Sequence, residues 1–330
     1  MQEKENHFIK NIEIKNFKCF EDFKAEGFGR VNLIGGKNNV GKTAFMEACY
    51  INTISKNAKD YITAVSSIIH LRDYVNLQDE KFEVKIDSFF YKMVLAKFEI
   101  NTNKYSTLYE IETKNSLEKK EKYTINGNSE VFQNHYFSEL NVFDLHQRHN
   151  HFVLSSIITN AYLTRLFNNI QLGSNENILN NYISEIFGKE FEKFIMIDKK
   201  PLVFSNNQWI PLSNFGDGIK RFITIICAMY SSQDGYIFLD EIENGIHYTN
   251  LDKLWEIILT ISKQQNVQVF ATTHSKECIE SYARVAEELE DKEITFFKLG
   301  KNQEGELKGM VYPYDWFIDS VEQEQEMRGW

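Results

Sequence analysis

An α/β fold on a mixed central sheet is the architecture this sequence predicts, and three observations carry it. Short apolar runs at 31–34, 236–239 and 267–270 have the composition of strands buried on both faces. Each passes through a polar or glycine-containing turn into a stretch with apolar residues near a 3.6-residue period, the alternation from which parallel sheets are built. Between the first run and the other two lies a segment of different texture, in which aromatic and β-branched residues alternate with polar ones as in antiparallel hairpins. With 330 residues, 42% hydrophobic and 25% charged, the chain suffices for one large domain or two modest ones.

The elements follow in order. Over 8–20 apolar positions alternate with charged ones, the period of a half-buried strand. Gly27 and Gly29 precede the run 31–34, which ends at Gly35 and Gly36, and 42–55 carries Phe45, Met46, Cys49, Tyr50 and Ile54 near helical spacing. From 81 to 132, segments such as 82–86, 98–100 and 108–112 read as strands, with polar clusters at 101–103 and 126–128 as hairpin loops. Residues 151–154 read as a further core strand, and 157–194 mostly as helices broken near Gly173 and Gly188. After 208 strands and helices alternate again, closing with a helix over 276–289, a strand over 294–299, a hairpin-like turn at 303–306 and an acidic end. No internal repeat or sustained heptad run is visible, so no coiled-coil arm is expected.

The net charge of −10 argues against a surface that binds nucleic acid everywhere, and leaves room for a local basic groove. Cys19, Cys49, Cys227 and Cys278 are scattered with no CxxC spacing, which suits free thiols in a reducing, cytoplasmic setting. No apolar run approaches the roughly 18–20 residues of a membrane span, and no membrane partner is expected.

Four motifs carry chemistry. Gly36, Lys37, Asn38, Asn39, Val40, Gly41, Lys42 and Thr43 fit GxxxxGK[ST] between an expected strand and an expected helix. A loop of this kind wraps a phosphate in successive backbone N–H groups, with glycine where a side chain would block the approach. Lys42 is then placed for the β- and γ-phosphates and the Thr43 hydroxyl for Mg²⁺. The run at 236–239 delivers Asp240 and Glu241 to its carboxyl end, where ligand sites of open α/β sheets lie. Asp240 suits a magnesium ion, and Glu241 suits orientation or deprotonation of an attacking water. A polar turn with Ser213, Asn214, Gly216, Asp217 and Gly218 opens an apolar helix ahead of these carboxylates. Finally, His274 follows the run at 267–270, placed to sense or stabilise a γ-phosphate.

In this order and spacing the motifs resemble the head of an ABC-type ATPase, a P-loop NTPase, of the branch that contains the RecF, SMC and OLD proteins. Asn16 to Phe20 resembles that branch's N-terminal strand, and Gly36 to Asn39 its asparagine-containing loop. Residues 240–247 and 268–275 are similar to those of small OLD-like ATP-binding proteins that lack a TOPRIM nuclease domain. The resemblance implies a single head over 1–330, with 1–56 and 201–330 as nucleotide-binding core, 57–150 as an antiparallel β lobe, and 151–200 as a core strand with a short helical insertion. It implies ATP and Mg²⁺ as ligands and a homodimer that sandwiches two ATP molecules. Each site then pairs the phosphate loop of one copy with the signature turn, Ser213 to Gly218, of the other, and hydrolysis opens the dimer.

The sequence also departs from the family pattern. The signature turn carries Asn214 and Phe215 where small residues are usual, so either Ser213 or Asn214 is a candidate for the γ-phosphate contact, and no glutamine is clearly placed for the Q-loop, Gln147 being the nearest. A TOPRIM domain needs on the order of 100 residues, more than follow His274, so no intrinsic nuclease is expected. Three other features read as bland: the histidines His146, His149 and His151 as loop residues, the acidic clusters at 287–291 and 322–326 as solvated helix faces, and the basic groups at 119–122, 199–200 and 220–221 as solvated turns with some capacity to face nucleic acid. The expected activity is ATP hydrolysis in a sensor or regulatory subunit, with the analogy to small OLD-like heads pointing to bacterial anti-phage defence and a separately encoded nuclease. A RecF-like DNA-binding repair ATPase and a nucleotide-binding scaffold with little turnover are the alternatives.

Overall fold

The structure, a computed structural model, describes residues 7–73, 94–115, 118–133, 150–154 and 158–327. The strand expected at 82–86, His146, Gln147 and His149 lie outside the described residues. In chain order the elements are β1 (Asn11–Phe17), β2 (Phe20–Glu26), β3 (Val31–Gly35), α1 (Lys42–Ile54), α2 (Ala58–Asp73), β4 (Val94–Thr102), β5 (Ser106–Asn115), β6 (Glu118–Ile125), β7 (Asn128–Gln133) and β8 (Asn150–Val153). There follow α3 (Asn160–Leu172), α4 (Glu176–Phe187), β9 (Lys193–Ile197), β10 (Lys200–Ser205), β11 (Gln208–Pro211), α5 (Asp217–Ser231), β12 (Tyr236–Leu239), α6 (Leu251–Gln265), β13 (Gln268–Thr273), α7 (Lys276–Glu288), β14 (Ile294–Lys301), β15 (Leu307–Pro313) and α8 (Tyr314–Glu322).

The fold is α/β with a mixed central sheet, in the order β15-β14-β3-β13-β12-β8. The five strands from β14 to β8 are parallel, and β15 pairs antiparallel with β14 at the edge. Strands β3, β12 and β13 are buried along their whole length, as apolar strands covered on both faces must be. One face of the sheet packs on a core formed with α3, α5, α6 and α7, where Trp255 and Tyr282 are fully buried. The other packs on α1 and an aromatic cluster of Phe28, Phe45, Phe270 and Phe297, in which Phe28 meets Phe297 and Phe270 edge-on at centroid distances of 5.4 Å and 5.6 Å.

Beyond α1 lies a second sheet, entirely antiparallel, in the order β2-β1-β4-β5-β6-β7. The N-terminal strand joins this sheet, with Ile14 opposite Ile100, and not the central one. Its pattern gives the reason: β1 buries one face only, which fits an antiparallel sheet with a solvated side. The segment 57–150 does not consist of strands alone. It opens with α2, where Tyr61, Ile62, Ala64, Val65 and Ile68 recur at helical spacing and are buried, and Tyr61 stacks on Tyr109 of the sheet at 5.9 Å. A third, three-stranded antiparallel sheet, β11-β10-β9, leads directly into the signature turn.

Several sequence readings are corrected by the structure. Residues 119–122 are part of strand β6, where Lys122 pairs with Glu110 at 3.5 Å. Asp291 is not solvated: it is 7% exposed and paired with the buried Arg30, which also bonds Glu293 at 3.1 Å and the Leu259 carbonyl at 3.1 Å, tying β3 to α6 and to the turn before β14. His151 is a buried residue of β8. Arg221, read from sequence as half of a surface pair with Lys220, is 2% exposed.

Candidate nucleotide site

The sheet brings the chemistry to one rim. Strands β3, β13 and β12 are adjacent and in register, with Thr273 beside Gly35 and Leu239 beside Ala271, so their carboxyl ends open at one level. After β3 the chain makes the glycine loop. A Cβ at Gly36 would lie 2.4 Å from the Leu299 carbonyl oxygen, and one at Gly41, where φ is +108°, would lie 2.6 Å from Cys19 Sγ. Both positions therefore need glycine. Val40 is buried as the loop's anchor, while Lys37, Asn38 and Asn39 are exposed. The Gly41 carbonyl accepts the first helical bond, from Phe45 N–H at 2.9 Å. No side chain caps α1 and no acidic residue sits in its first turn, so its leading N–H groups and dipole are available to an anion.

Lys42 is buried and curls back into the loop, donating to the Gly36 carbonyl at 2.7 Å and the Lys37 carbonyl at 3.0 Å. Burial holds its ammonium below the ordinary lysine range, against the pull of Asp240, Glu241 and Glu243. Thr43 Oγ1 donates to Asp240 Oδ1 at 3.1 Å, and Thr272 Oγ1 donates to the same oxygen at 2.8 Å. Burial raises the Asp240 carboxyl above its usual range, with the Thr272 and Thr43 hydroxyls opposing the shift. The Glu241 N–H donates to Thr272 Oγ1 at 2.8 Å, and Glu241 sits at φ +43°, a left-handed conformation imposed where the chain turns off β12. His274 is exposed just past β13, and its Nδ1 lies 3.3 Å from Glu243 Oε1.

Two residues of this site were not singled out from the sequence. Arg221, on the first turns of α5, donates to the carbonyls of Leu154 at 2.7 Å, Asp240 at 2.8 Å and Glu241 at 3.4 Å, so the helix after the signature turn grips the backbone of both carboxylates. Burial lowers its guanidinium to about 10, against the attraction of Asp240, Glu243 and Glu241. The other is Glu243, which accepts from Thr273 Oγ1 at 2.8 Å and from the His274 N–H at 3.0 Å.

The signature turn stands apart. Ser213 and Asn214 lie exposed on a 3₁₀ turn, Leu212–Phe215; Gly216 and Asp217 are exposed, and a Cβ at Gly216 would meet open space. Gly218 touches the rest of the site, since a Cβ there would lie 2.8 Å from the Gly245 carbonyl oxygen in the loop after Glu243.

Comparison with known proteins fits this geometry. The sequence profile of the family described as "AAA domain, putative AbiEii toxin, Type IV TA system" matches residues 31–280, from the strand before the glycine loop into the helix after His274. The chain belongs to this AAA family. A relative, the ATP/GTP phosphatase of Helicobacter pylori, is 25% identical over 85% of this chain and 89% of its own length. The DNA replication and repair protein RecF of Bacillus cytotoxicus is 40% identical over 50 residues, 15% of this chain and 13% of its own. Among solved structures, the Smc head bound to the C-winged helix domain of ScpA covers 93% of this AAA-family chain and 99% of its own, with a TM-score of 0.52 and 13% identity. The Smc head with an extended coiled coil bound to the C-terminal domain of ScpA from Pyrococcus furiosus covers 96% and 99%, with a TM-score of 0.50 and 11% identity. At such identities the likeness is one of fold.

The ATPase family implies ATP, and magnesium is its usual companion. The donor set fits that ion: a threonine hydroxyl and a carboxylate oxygen 3.1 Å apart are hard oxygen ligands of the kind Mg²⁺ takes alongside waters and phosphate. Among the described residues no group of three or more His, Cys, Asp or Glu side chains could hold a metal by itself, and none of the helices is long and apolar enough to cross a membrane.

Proposed function

We propose that this ATPase hydrolyses ATP with Mg²⁺ and dimerises on ATP. The observation that carries the reading is the convergence of Lys42, Thr43 and Asp240 at the mouth of the glycine loop, with the Thr43 hydroxyl and the Asp240 carboxylate 3.1 Å apart although nearly two hundred positions separate them in sequence. In this reading the loop N–H groups from Lys37 to Thr43 and the α1 dipole hold the phosphates, and Lys42 leaves the Gly36 and Lys37 carbonyls to bind the β- and γ-phosphates. Thr43 and Asp240 would hold magnesium, which supplies positive charge to the phosphate oxygens. Glu241 orients or deprotonates the attacking water, and His274 attends the γ-phosphate.

The exposed signature turn supports dimerisation. Ser213, Asn214, Gly216 and Asp217 are exposed, as residues must be if they are to complete the site of a second copy. The client we propose is a separately encoded effector, such as a nuclease in a defence system, with this chain as its cytoplasmic sensor or regulatory subunit. The family description names a putative AbiEii toxin of a Type IV TA system, and the net charge of −10 weighs against a broad DNA-binding surface.

Nucleotide binding by Lys42→Ala tests the site. Loss of the lysine should abolish tight Mg·ATP binding, measured by calorimetry on a protein whose thermal midpoint is unchanged; retained affinity would refute the assignment. The same titration with GTP sets the base preference.

A further inference from the structure

Glu243 lies in the turn that follows the carboxylate pair. The Asn244 N–H donates to the Glu241 carbonyl at 2.9 Å and the Ile246 N–H to the Glu243 carbonyl at 3.0 Å, so the turn is closed on itself and its side chains are aimed by the backbone. The Glu243 side chain is 11% exposed. Its Oε1 takes the Thr273 hydroxyl and the His274 N–H, while the His274 ring presents Nδ1 at 3.3 Å from that same oxygen. Oε2 is buried and has no hydrogen-bond partner among the described residues. A buried carboxylate oxygen without a donor is an unfavourable arrangement unless a donor arrives. The His274 ring approaches the carboxylate through Nδ1, on its Oε1 side.

We propose that Glu243 is a positioning residue: its carboxylate fixes the His274 ring in the Nδ1–H tautomer and leaves Nε2 for the reacting groups. The proposal rests on the reading of His274 as the γ-phosphate-side residue. Its logic is that of any histidine whose working nitrogen is selected by the hydrogen bond the other nitrogen makes. Glu243 is suited to this by chemistry as well as place. An anion accepts only, so it can face nothing but the protonated nitrogen, and its field reaches the site, where it acts on both Lys42 and Arg221. A loop-pinning role alone would need one acceptor for Thr273 and the His274 N–H, and an amide oxygen would serve equally well.

Glu243→Gln separates the two roles, because the amide oxygen keeps an acceptor for Thr273 and the His274 N–H while the negative charge that favours a proton on Nδ1 is removed. The experiment records long-range ¹H–¹⁵N histidine spectra of the nucleotide-free full chain, with His274 assigned by loss of its signals in His274→Ala. Wild type should show Nδ1 protonated and Nε2 bare, and Glu243→Gln should move the ring to the Nε2–H form. A wild-type ring already in the Nε2–H form overturns the proposal, whatever the variant does; so does a tautomer that Glu243→Gln leaves unchanged. In steady-state ATP turnover, Glu243→Gln should lower kcat roughly 10- to 100-fold with KM little changed, the usual range for groups that orient a working ligand. Adding it to His274→Ala should cost nothing further, and an additive loss would overturn the proposal. A wild type with no turnover would instead refute the ATPase reading, with the spectra still deciding on Glu243.

Discussion

The two halves of the candidate site differ in kind. The half built by β3, β12 and β13 is buried and cross-linked: Thr43 and Thr272 share one Asp240 oxygen, Thr273 and His274 share one Glu243 oxygen, and Arg221 clamps the backbone of both acids from behind. The half built by the signature turn has exposed side chains and open space around Gly216. A preorganised rim can bind phosphate by itself, since its donors are already aimed. An exposed turn becomes part of a site only when another surface meets it. The contrast supports a division of labour, with binding performed by one copy and catalysis completed by two.

The largest effect that would sharpen this contrast is on turnover. Glu241→Gln keeps the left-handed turn and its N–H bond to Thr272 but removes the base, so ATP hydrolysis should fall by roughly 10²–10⁴-fold, the usual contribution of a positioned general base. Binding should persist, and light scattering should show an ATP-dependent dimer that no longer opens. Turnover at the wild-type rate would remove Glu241 from the mechanism; a monomer at saturating ATP would break the two-copy reading.

The second effect bears on the exposed half. Ser213→Ala combined with Asn214→Ala deletes both candidates for the γ-phosphate contact. Loss of one charge-assisted hydrogen bond, about 1.5–3 kcal/mol, predicts a fall of roughly 10- to 100-fold in kcat with ATP affinity of the monomer unchanged. Each single variant then assigns the contact. If the double variant turns over like wild type, the turn does not act in trans.

How much of this was legible follows the same division. The glycine loop, the carboxylate pair and the strand before His274 are local patterns: a run of apolar residues, then the residue types the chemistry needs. The carboxyl ends of β3, β12 and β13 meet because parallel strands in register leave them no other place. Arg221 was hidden because a basic pair after a glycine turn reads as surface, and only the fold shows that one member points at Leu154, Asp240 and Glu241 while Lys220 stays partly exposed. Glu243 had a local signal, an acid two positions beyond Glu241, but its partners Thr273 and His274 come from a different strand end. Asp291 likewise reads as one acid in a charged run until Arg30, just before β3, closes on it. The N-terminal segment reads as a half-buried strand, and that one-sided pattern is what an antiparallel sheet with a solvated face accepts.

The smallest effect falls where the two halves join. Gly216 precedes α5 at φ +84° and ψ +169°, a region that is essentially restricted to glycine. A Cβ there would clash with nothing, so the cost of Gly216→Ala is conformational strain alone, about 1–3 kcal/mol. Thermal unfolding should therefore shift down by a few degrees, with Mg·ATP binding at the glycine loop intact, because strain at this position is carried by the turn and not by β3 or α1. Two results would break the comparison. An unchanged midpoint would mean that the turn adopts another conformation in solution, and a loss of nucleotide affinity in the monomer would mean that the exposed half already supports the buried one within a single chain. If instead stability falls modestly and only the ATP-dependent dimer weakens, the turn is an independent surface, held in shape by one glycine and used only when a second copy arrives.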